Sequence, residues 1–171
     1  MFKGILIVII IGAIGCKEKI KNQTGSPENY RTGVAANIGV NIIDIGNVEN
    51  EQKLKSLNLD NIYPNPINSK NISESEKKSI VDSWSDLVSK LSDFMVKEKF
   101  DWENDNKVRL YQKVYFSKNG KVDYYTFNVK SQNVTEKKKI EFAELLEKFS
   151  KDLKFDVESK DNFWQCGTTI Y

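Results

Sequence analysis

Histidine is absent from the 171 residues of this chain, and cysteine, methionine and proline are scarce, at two, two and three residues. Without histidine, the chain lacks the commonest general base and the commonest metal ligand of proteins. The formal net charge is only +2, which gives no strong field to attract nucleic acid or an acidic substrate. We therefore expect a protein that is not an enzyme, with no cofactor, no metal and no nucleic-acid partner.

Long hydrophobic runs are also missing, and the one apolar stretch, residues 4–15 (GILIVIIIGAIG), is short. As a helix it would rise about 18 Å, whereas the hydrocarbon core of a bilayer is about 30 Å thick. It follows a single basic residue, Lys3, and ends in the small-residue box AIG before Cys16. This arrangement resembles a bacterial lipoprotein signal peptide. An ordinary cleaved signal and a retained anchor are the alternatives.

The resemblance implies that residues 1–15 are removed and that Cys16 carries the lipid, including an acyl chain such as palmitate. The default location is then the outer membrane, facing the periplasm, with cell-surface display as the alternative. Residues 16–33 are polar and lack apolar periodicity, so they predict a flexible tether. Cys166 would have no partner within the chain and would act as a small buried hydrophobe. A bridge between the two cysteines requires that Cys16 is not lipidated.

Residues 34–72 are predicted to be an extended or irregular segment. Alternating apolar residues near its start suggest a strand, and residues 49–57 suggest a short helix. Residues 58–71 contain Pro64 and Pro66, so a turn or an extended connection is expected there.

The clearest helix signal is a capping box formed by Ser73 and Glu76, ahead of a long apolar stripe. It predicts a helix over residues 74–97 that buries one face. The stripe consists of Ile80, Trp84, Leu87, Val88, Leu91, Phe94 and Met95.

A hairpin is predicted next, with alternating strands over residues 107–117 and 121–130. Asn119 and Gly120 are typical of a type I′ turn, and this turn places Leu110 opposite Val129. The more apolar face of the hairpin should then cover the helices.

A second helix is predicted with Asn133 as its N-cap and Glu136 three residues later. Its buried stripe is expected to comprise Ile140, Ala143, Leu146, Phe149 and Leu153, with Phe142 and Leu145 at the margin. Residues 162–171 then predict a final strand that places Trp164, Cys166, Thr168 and Ile170 on one side.

Together these elements predict an α+β domain over residues 73–171, in the order α-β-β-α-β. A small antiparallel or mixed three-stranded sheet, made of the hairpin and the C-terminal strand, packs against the two helices. Residues 108–171 resemble the C-terminal domain of TonB-type proteins, especially divergent copies from Bacteroidetes. The likeness rests on the hairpin VRLYQKVYFSKNGKVDYYTFNV, the helix motif FAELL, the connection LKF and the ending TTIY.

In that family the exposed edge of the last strand pairs with a short segment of another protein. The resemblance therefore implies a tethered adaptor that binds an envelope protein through its final strand, with Trp164 and Tyr171 as contacts. A second candidate surface is the hairpin face that carries Tyr111, Tyr115 and Tyr124, because tyrosines are enriched at interfaces. Cross-strand packing is the alternative role for these tyrosines.

Two other function classes stay open. A structural or inhibitory lipoprotein, similar in role to an immunity protein, would block its partner rather than link it. An enzyme or a calcium site would use the carboxylates of Asp101, Glu103 and Asp105, although their spacing only weakly echoes a calcium loop.

Overall fold

The computed structural model describes the backbone of residues 8–10 and residues 40–68, 72–103, 107–157 and 159–171. The strands are β1 (Val8–Ile10), β2 (Asn41–Asp44), β3 (Arg109–Phe116), β4 (Val122–Val129) and β5 (Phe163–Ile170). The helices are α1 (Val48–Leu57), α2 (Leu59–Ile62), α3 (Glu74–Lys97) and α4 (Glu136–Ser150), and a 3-10 turn covers Pro66–Asn68. The predicted tether lies outside the described residues, as does the predicted leader apart from β1.

The five strands form one mixed sheet in the order β1-β5-β3-β4-β2. Every neighbouring pair is antiparallel except β2 and β4, which run parallel. The predicted α+β class is confirmed, and the three predicted strands form the centre of the sheet. The prediction of only three strands is wrong, because β1 adds to β5 on one side and β2 adds to β4 on the other.

The register of the hairpin is confirmed, with Leu110 opposite Val129. The type I′ turn is wrong, because Gly120 has a positive φ of 79° and Asn119 does not. The Gly120 N–H donates to the Ser117 carbonyl over 2.8 Å, and the register shifts after Tyr115. The connection is therefore a longer turn with a bulge, in which glycine takes the left-handed position.

Helix α3 begins at the predicted capping box. The Glu76 N–H donates to Ser73 Oγ over 3.2 Å, and the Ser73 N–H donates to Glu76 Oε2 over 2.8 Å. Its apolar stripe packs on the sheet as predicted, with Phe94 half-buried. Trp84 lies directly on Gly167 of β5, where an added Cβ would be 2.5 Å from the indole Nε1.

Helix α4 differs from its prediction at its start. Asn133 has a φ of 69° and lies in the turn before the helix, so it is not the N-cap. Thr135 takes that role, because its Oγ1 accepts a hydrogen bond from the Lys138 N–H over 3.2 Å. The sequence offers two residues of capping type, and the turn before the helix selects the second.

The buried face of α4 is also rotated from the predicted one. Phe142 is fully buried, whereas Ile140, predicted to be buried, is 60% exposed. The ring of Phe142 packs among those of Phe100, Trp102 and Phe127, at centroid distances of 4.8–5.6 Å. These aromatic contacts fix the rotation of the helix.

Residues 40–68 belong to the domain and cover the second face of the sheet. The predicted strand and short helix are confirmed as β2 and α1. The predicted turn or extended connection is wrong over its first part, where α2 forms. Leu59 of α2 and the neighbouring Tyr63 are buried against Tyr115 and Trp164, which explains why this segment folds back onto the sheet. The sheet thus lies between α3 and α4 on one face and α1 and α2 on the other.

Candidate protein-binding edge

Strand β5 lies near one edge of the sheet and has no charged residue and no proline in its eight residues, FWQCGTTI. Its inner side pairs with β3 along its whole length, from Phe163 opposite Phe116 to Ile170 opposite Arg109. On its outer side, the described pairing is with β1 at Thr168–Ile170, and at its start the Trp164 N–H donates to the Pro64 carbonyl over 3.4 Å. Proteins usually protect an edge strand by charge, proline, a bulge, shortness or a covering loop, and among the described residues β5 has none of these between the two contacts, at residues 165–167.

The opposite edge of the sheet is protected. Strand β2 has only four residues, begins with the polar Asn41 and ends with Asp44. The Asn41 side chain donates to the Asp123 carbonyl over 3.2 Å, which fixes the start of the strand. The two edges therefore differ in chemistry, and β5 is the one suited to pairing with another strand.

Strand β5 packs tightly against helix α3 and strand β3. Trp84 leaves no room for a side chain at Gly167, so the helix α3 contacts the strand backbone closely. At the start of β5, the ring of Phe163 stacks on Phe116 with centroids 5.1 Å apart. A strand held in this way presents its backbone N–H and C=O groups in a fixed geometry to a partner.

The tyrosine face that the sequence suggested as a binding surface is largely covered. Tyr115 is 2% exposed and Trp164 is 7% exposed, so the expectation that they are accessible is wrong. The ring of Tyr63 packs edge-on against Tyr115 and Tyr124, at centroid distances of 5.5 and 6.3 Å. Tyr111 and Tyr124 are half-buried. The face serves mainly as a second core beneath α2.

Sequence reasoning missed the polar contacts that hold α2 on this face. Asp60 Oδ1 accepts from Lys113 Nζ over 2.6 Å and from the Tyr115 hydroxyl over 2.9 Å. The Lys113 ammonium also lies 4.0 Å from the centre of the Trp164 ring. A lysine at an alternating strand position and a distant aspartate gave no signal of this pairing. The buried charge is thus satisfied by an ion pair and an aromatic face.

Tyr171, predicted as a contact residue, points into the protein with its hydroxyl buried. Its backbone exchanges two hydrogen bonds with Val108, each 2.9 Å long, and its ring lies 6.3 Å from that of Trp102. Burial raises the pKa of Tyr171 to about 12.

Three further tyrosines have raised pKa values. Burial is the main cause for each, followed by the carboxylate of Asp123 at Tyr63 and that of Asp60 at Tyr115. The pKa of Tyr125, whose hydroxyl donates to the Gln112 side chain, is raised by its complete burial.

In the unfolded chain, the pKa of tyrosine has its ordinary value of about 10. We expect these four phenols to stay protonated above that pH in the folded protein. Because the unfolded chain loses these protons first, the free energy of unfolding should fall as the pH rises past that value. Phenolate absorbance and circular dichroism, followed together, should show at least four tyrosines still protonated at about pH 10 while the fold is intact. Ionisation of all seven near pH 10 with an intact fold would contradict this.

Cys166 is buried, as predicted, at 5% exposure. The expectation that it is an unpaired thiol is wrong, because Cys166 is disulfide-bonded. The chain contains one other cysteine, Cys16, which lies outside the described residues. Lipidation of Cys16 and a disulfide at Cys16 exclude each other, since both use the same sulfur.

The carboxylates of the loop after α3 were the remaining candidate site. Asp105 lies outside the described residues, and Glu103 forms an ion pair with Lys138 over 2.9 Å. Within the described ranges, no three His, Cys, Asp or Glu side chains converge as metal ligands. A cleft of about 710 Å³ lies between the start of α3 and the loop before β5, with Glu76, Asp161 and Lys160 among its polar lining.

In the part of the chain that the structure describes, none of the helices has the length and apolar character needed to cross a bilayer. Comparisons of the chain with protein-family models, with curated proteins and with solved structures found no match.

Proposed function

We propose that the chain is an envelope lipoprotein, anchored through lipid on Cys16, whose domain is a protein-binding or adaptor module. Its docking surface is the outer edge of β5, and its role is binding rather than catalysis. The default location is the outer membrane, with the domain in the periplasm. The likeness to TonB C-terminal domains remains part of this proposal.

One observation supports the binding role most directly, namely the chemistry of the β5 edge. The strand is eight residues long and uncharged, and its inner side is fully paired to β3. Its described outer neighbour, β1, belongs to the predicted leader. If processing removes residues 1–15, the backbone groups that β1 satisfies become available to another chain.

The anchor is supported by the sequence before Cys16. A single lysine, a 12-residue apolar run and a small-residue box are the features of a lipoprotein leader, and the polar residues 16–33 suit a tether. Attachment at the start of such a tether leaves the β5 edge free to meet a partner away from the bilayer.

A second account is favoured by the disulfide at Cys166. In this account Cys16 is not lipidated, the leader stays attached, and β1 is a permanent strand of a closed domain. The β5 edge is then covered along Thr168–Ile170, and strand pairing with a partner at these residues is excluded.

Photo-crosslinking in the cells that make the protein tests the proposed surface. A benzoylphenylalanine placed at Thr168, at the edge, should give one discrete adduct with an envelope protein. The matched control is the same residue at Ile140, an exposed apolar position on α4, which should give no adduct. No adduct from position 168, or equal adducts from both positions, would refute the edge as the docking surface. The identity of the captured protein separates an adaptor from an inhibitor.

A further inference from the structure

We propose that the β5 edge accepts an extended, uncharged strand of β-branched residues that runs antiparallel to it. We propose also that the leader segment Val8–Ile10 fills this place until it is removed. The inference rests on the proposed function and specifies both the partner chemistry and the regulation of the same edge.

The pairing of β1 with β5 shows which residues the edge accepts. Val8 pairs with Ile170, Ile9 with Thr169 and Ile10 with Thr168, in antiparallel orientation. All six residues are β-branched, the class that strands favour and that packs well across neighbouring strands. The chain therefore supplies an example of what its own edge accepts.

Each residue of a partner strand would lie on one of the two faces of the sheet, and the register determines which one. Directly paired residues share a face of the sheet, so a residue opposite Thr169 would lie on the face covered by α3. Residues opposite Thr168 and Ile170 would lie on the face that carries Trp164 and Cys166, because strand residues alternate. Thr169 is buried whereas Thr168 and Ile170 are half-buried, so the face covered by α3 favours an apolar partner side chain the more strongly.

The absence of charge on β5 disfavours a charged partner strand. No side chain from Phe163 to Ile170 could neutralise a charged residue placed opposite it. A proline in the partner would remove an N–H needed for the ladder. The edge therefore selects short apolar runs, such as the leader itself, over charged or proline-rich segments.

The same geometry makes the leader a cap. While β1 is in place, the outer backbone groups of Thr168–Ile170 are paired and a second strand cannot bind there. Removal of residues 1–15 would break this pairing, so the edge would become available only in the processed chain.

The test uses the protein purified from its producing cells in a mild detergent, together with lysine-flanked, fluorescent peptides of residues 5–11 (ILIVIII). Three peptides are compared by anisotropy: the unmodified one, one N-methylated at Val8 and one N-methylated at Ile9. Adjacent residues of an edge strand direct their N–H groups in opposite directions, one toward the neighbouring strand and one away. One methylation should therefore weaken binding by at least about tenfold, and the other should change it by less than about twofold.

The two methylated peptides have the same composition, so their partition into detergent micelles cancels in the comparison. Strand pairing would be refuted if both methylations weakened binding equally, or if neither weakened it. A second variant, Cys16→Ser, should retain the leader because the residue that is modified before cleavage is absent. The Cys16→Ser chain should bind the unmodified peptide at least about tenfold more weakly than the processed chain. Equal binding by the two chains would refute the cap.

The outcomes separate this inference from the proposed function. Suppose that only one of the two N-methylations weakens peptide binding and that no envelope protein is crosslinked. This result would support the edge chemistry and refute the envelope partner. Suppose instead that a partner is crosslinked at Thr168 but the two N-methylated peptides bind equally well. This result would support the docking surface and refute the leader as its model ligand.

Discussion

Phe142→Ala is expected to lower the free energy of unfolding by about 3–5 kcal/mol, the usual range for removing a fully buried phenylalanine. Phe142 is completely buried and contacts three aromatic rings, those of Phe100 and Trp102 in the segment after α3 and that of Phe127 in β4. Truncation leaves a cavity between the helix and the sheet, because Phe127 is held in the sheet and cannot move to fill it. Urea unfolding of the purified protein measures the effect.

Ile140→Ala is the matched control for this prediction. Ile140 lies two residues earlier in the same helix and is 60% exposed. Its truncation should change the free energy of unfolding by no more than about 0.5 kcal/mol, as for most surface positions. If Ile140→Ala cost more than Phe142→Ala, the buried face of α4 would be the one that the sequence pattern predicted, and the described packing would be wrong.

Gly120→Ala is expected to destabilise the protein by about 2–5 kcal/mol, from two separate causes. The φ of 79° at Gly120 is a left-handed conformation that costs an L-residue about 1–2 kcal/mol. An added Cβ would also lie 2.2 Å from the Phe155 carbonyl oxygen, so backbone would have to move, which costs about 1–3 kcal/mol more. The Gly120 carbonyl accepts the Phe155 N–H over 2.8 Å, so this movement would also strain a hydrogen bond.

Asn119→Ala provides the comparison for the turn. Asn119 is exposed, has no positive φ, and accepts a hydrogen bond from the Ser117 hydroxyl in its own turn. The loss should be about 1 kcal/mol or less, the net value of one hydrogen bond. Thermal unfolding of both variants measures the difference. Equal destabilisation at the two positions would show that the turn has the type I′ geometry predicted from Asn-Gly.

Elements with strong local signals could be predicted from the sequence. The capping box of Ser73 and Glu76 defines the start of α3, and the apolar spacing after it defines the buried face. The hairpin register followed from a short Asn-Gly connection between two alternating strands. In each case, residues close in sequence determine the structure, so no distant contact had to be known.

The rotation of α4 could not be predicted in this way. Apolar residues from position 140 to position 149 surround much of the helix, so several stripes fit the pattern equally well. The choice depends on Phe100, Trp102 and Phe127, which lie elsewhere in the chain. Tertiary packing decides such cases.

Helix α2, and the packing of α1 and α2 on the second face of the sheet, could not be predicted for a similar reason. Strand β2 pairs parallel with β4, with Asn41 opposite Tyr124, and α2 is held by Asp60 against Lys113. These pairings join residues far apart in sequence, and no local pattern at either partner indicates the other. The sequence therefore suggests that the tyrosines of the hairpin are exposed, whereas α2 covers them.

The candidate site was predicted in part. The final strand follows from the sequence alone, whereas its role as a binding edge is what the resemblance to TonB C-terminal domains implies. The pairing of β1 with that edge does not, because a cleaved leader is normally set aside when a fold is derived. The disulfide at Cys166 was likewise not expected, since it competes with the lipid for the only other cysteine.

Intact-mass analysis of the protein from its own membranes, before and after reduction, tests the central claim most directly. The proposed function predicts a chain that begins at residue 16, carries acyl groups on the Cys16 peptide and keeps its mass on reduction apart from any intermolecular bond at Cys166. A chain that retains residues 1–15, carries no lipid and gains two hydrogens on reduction would contradict it. Such a result would establish the closed, disulfide-bonded domain instead.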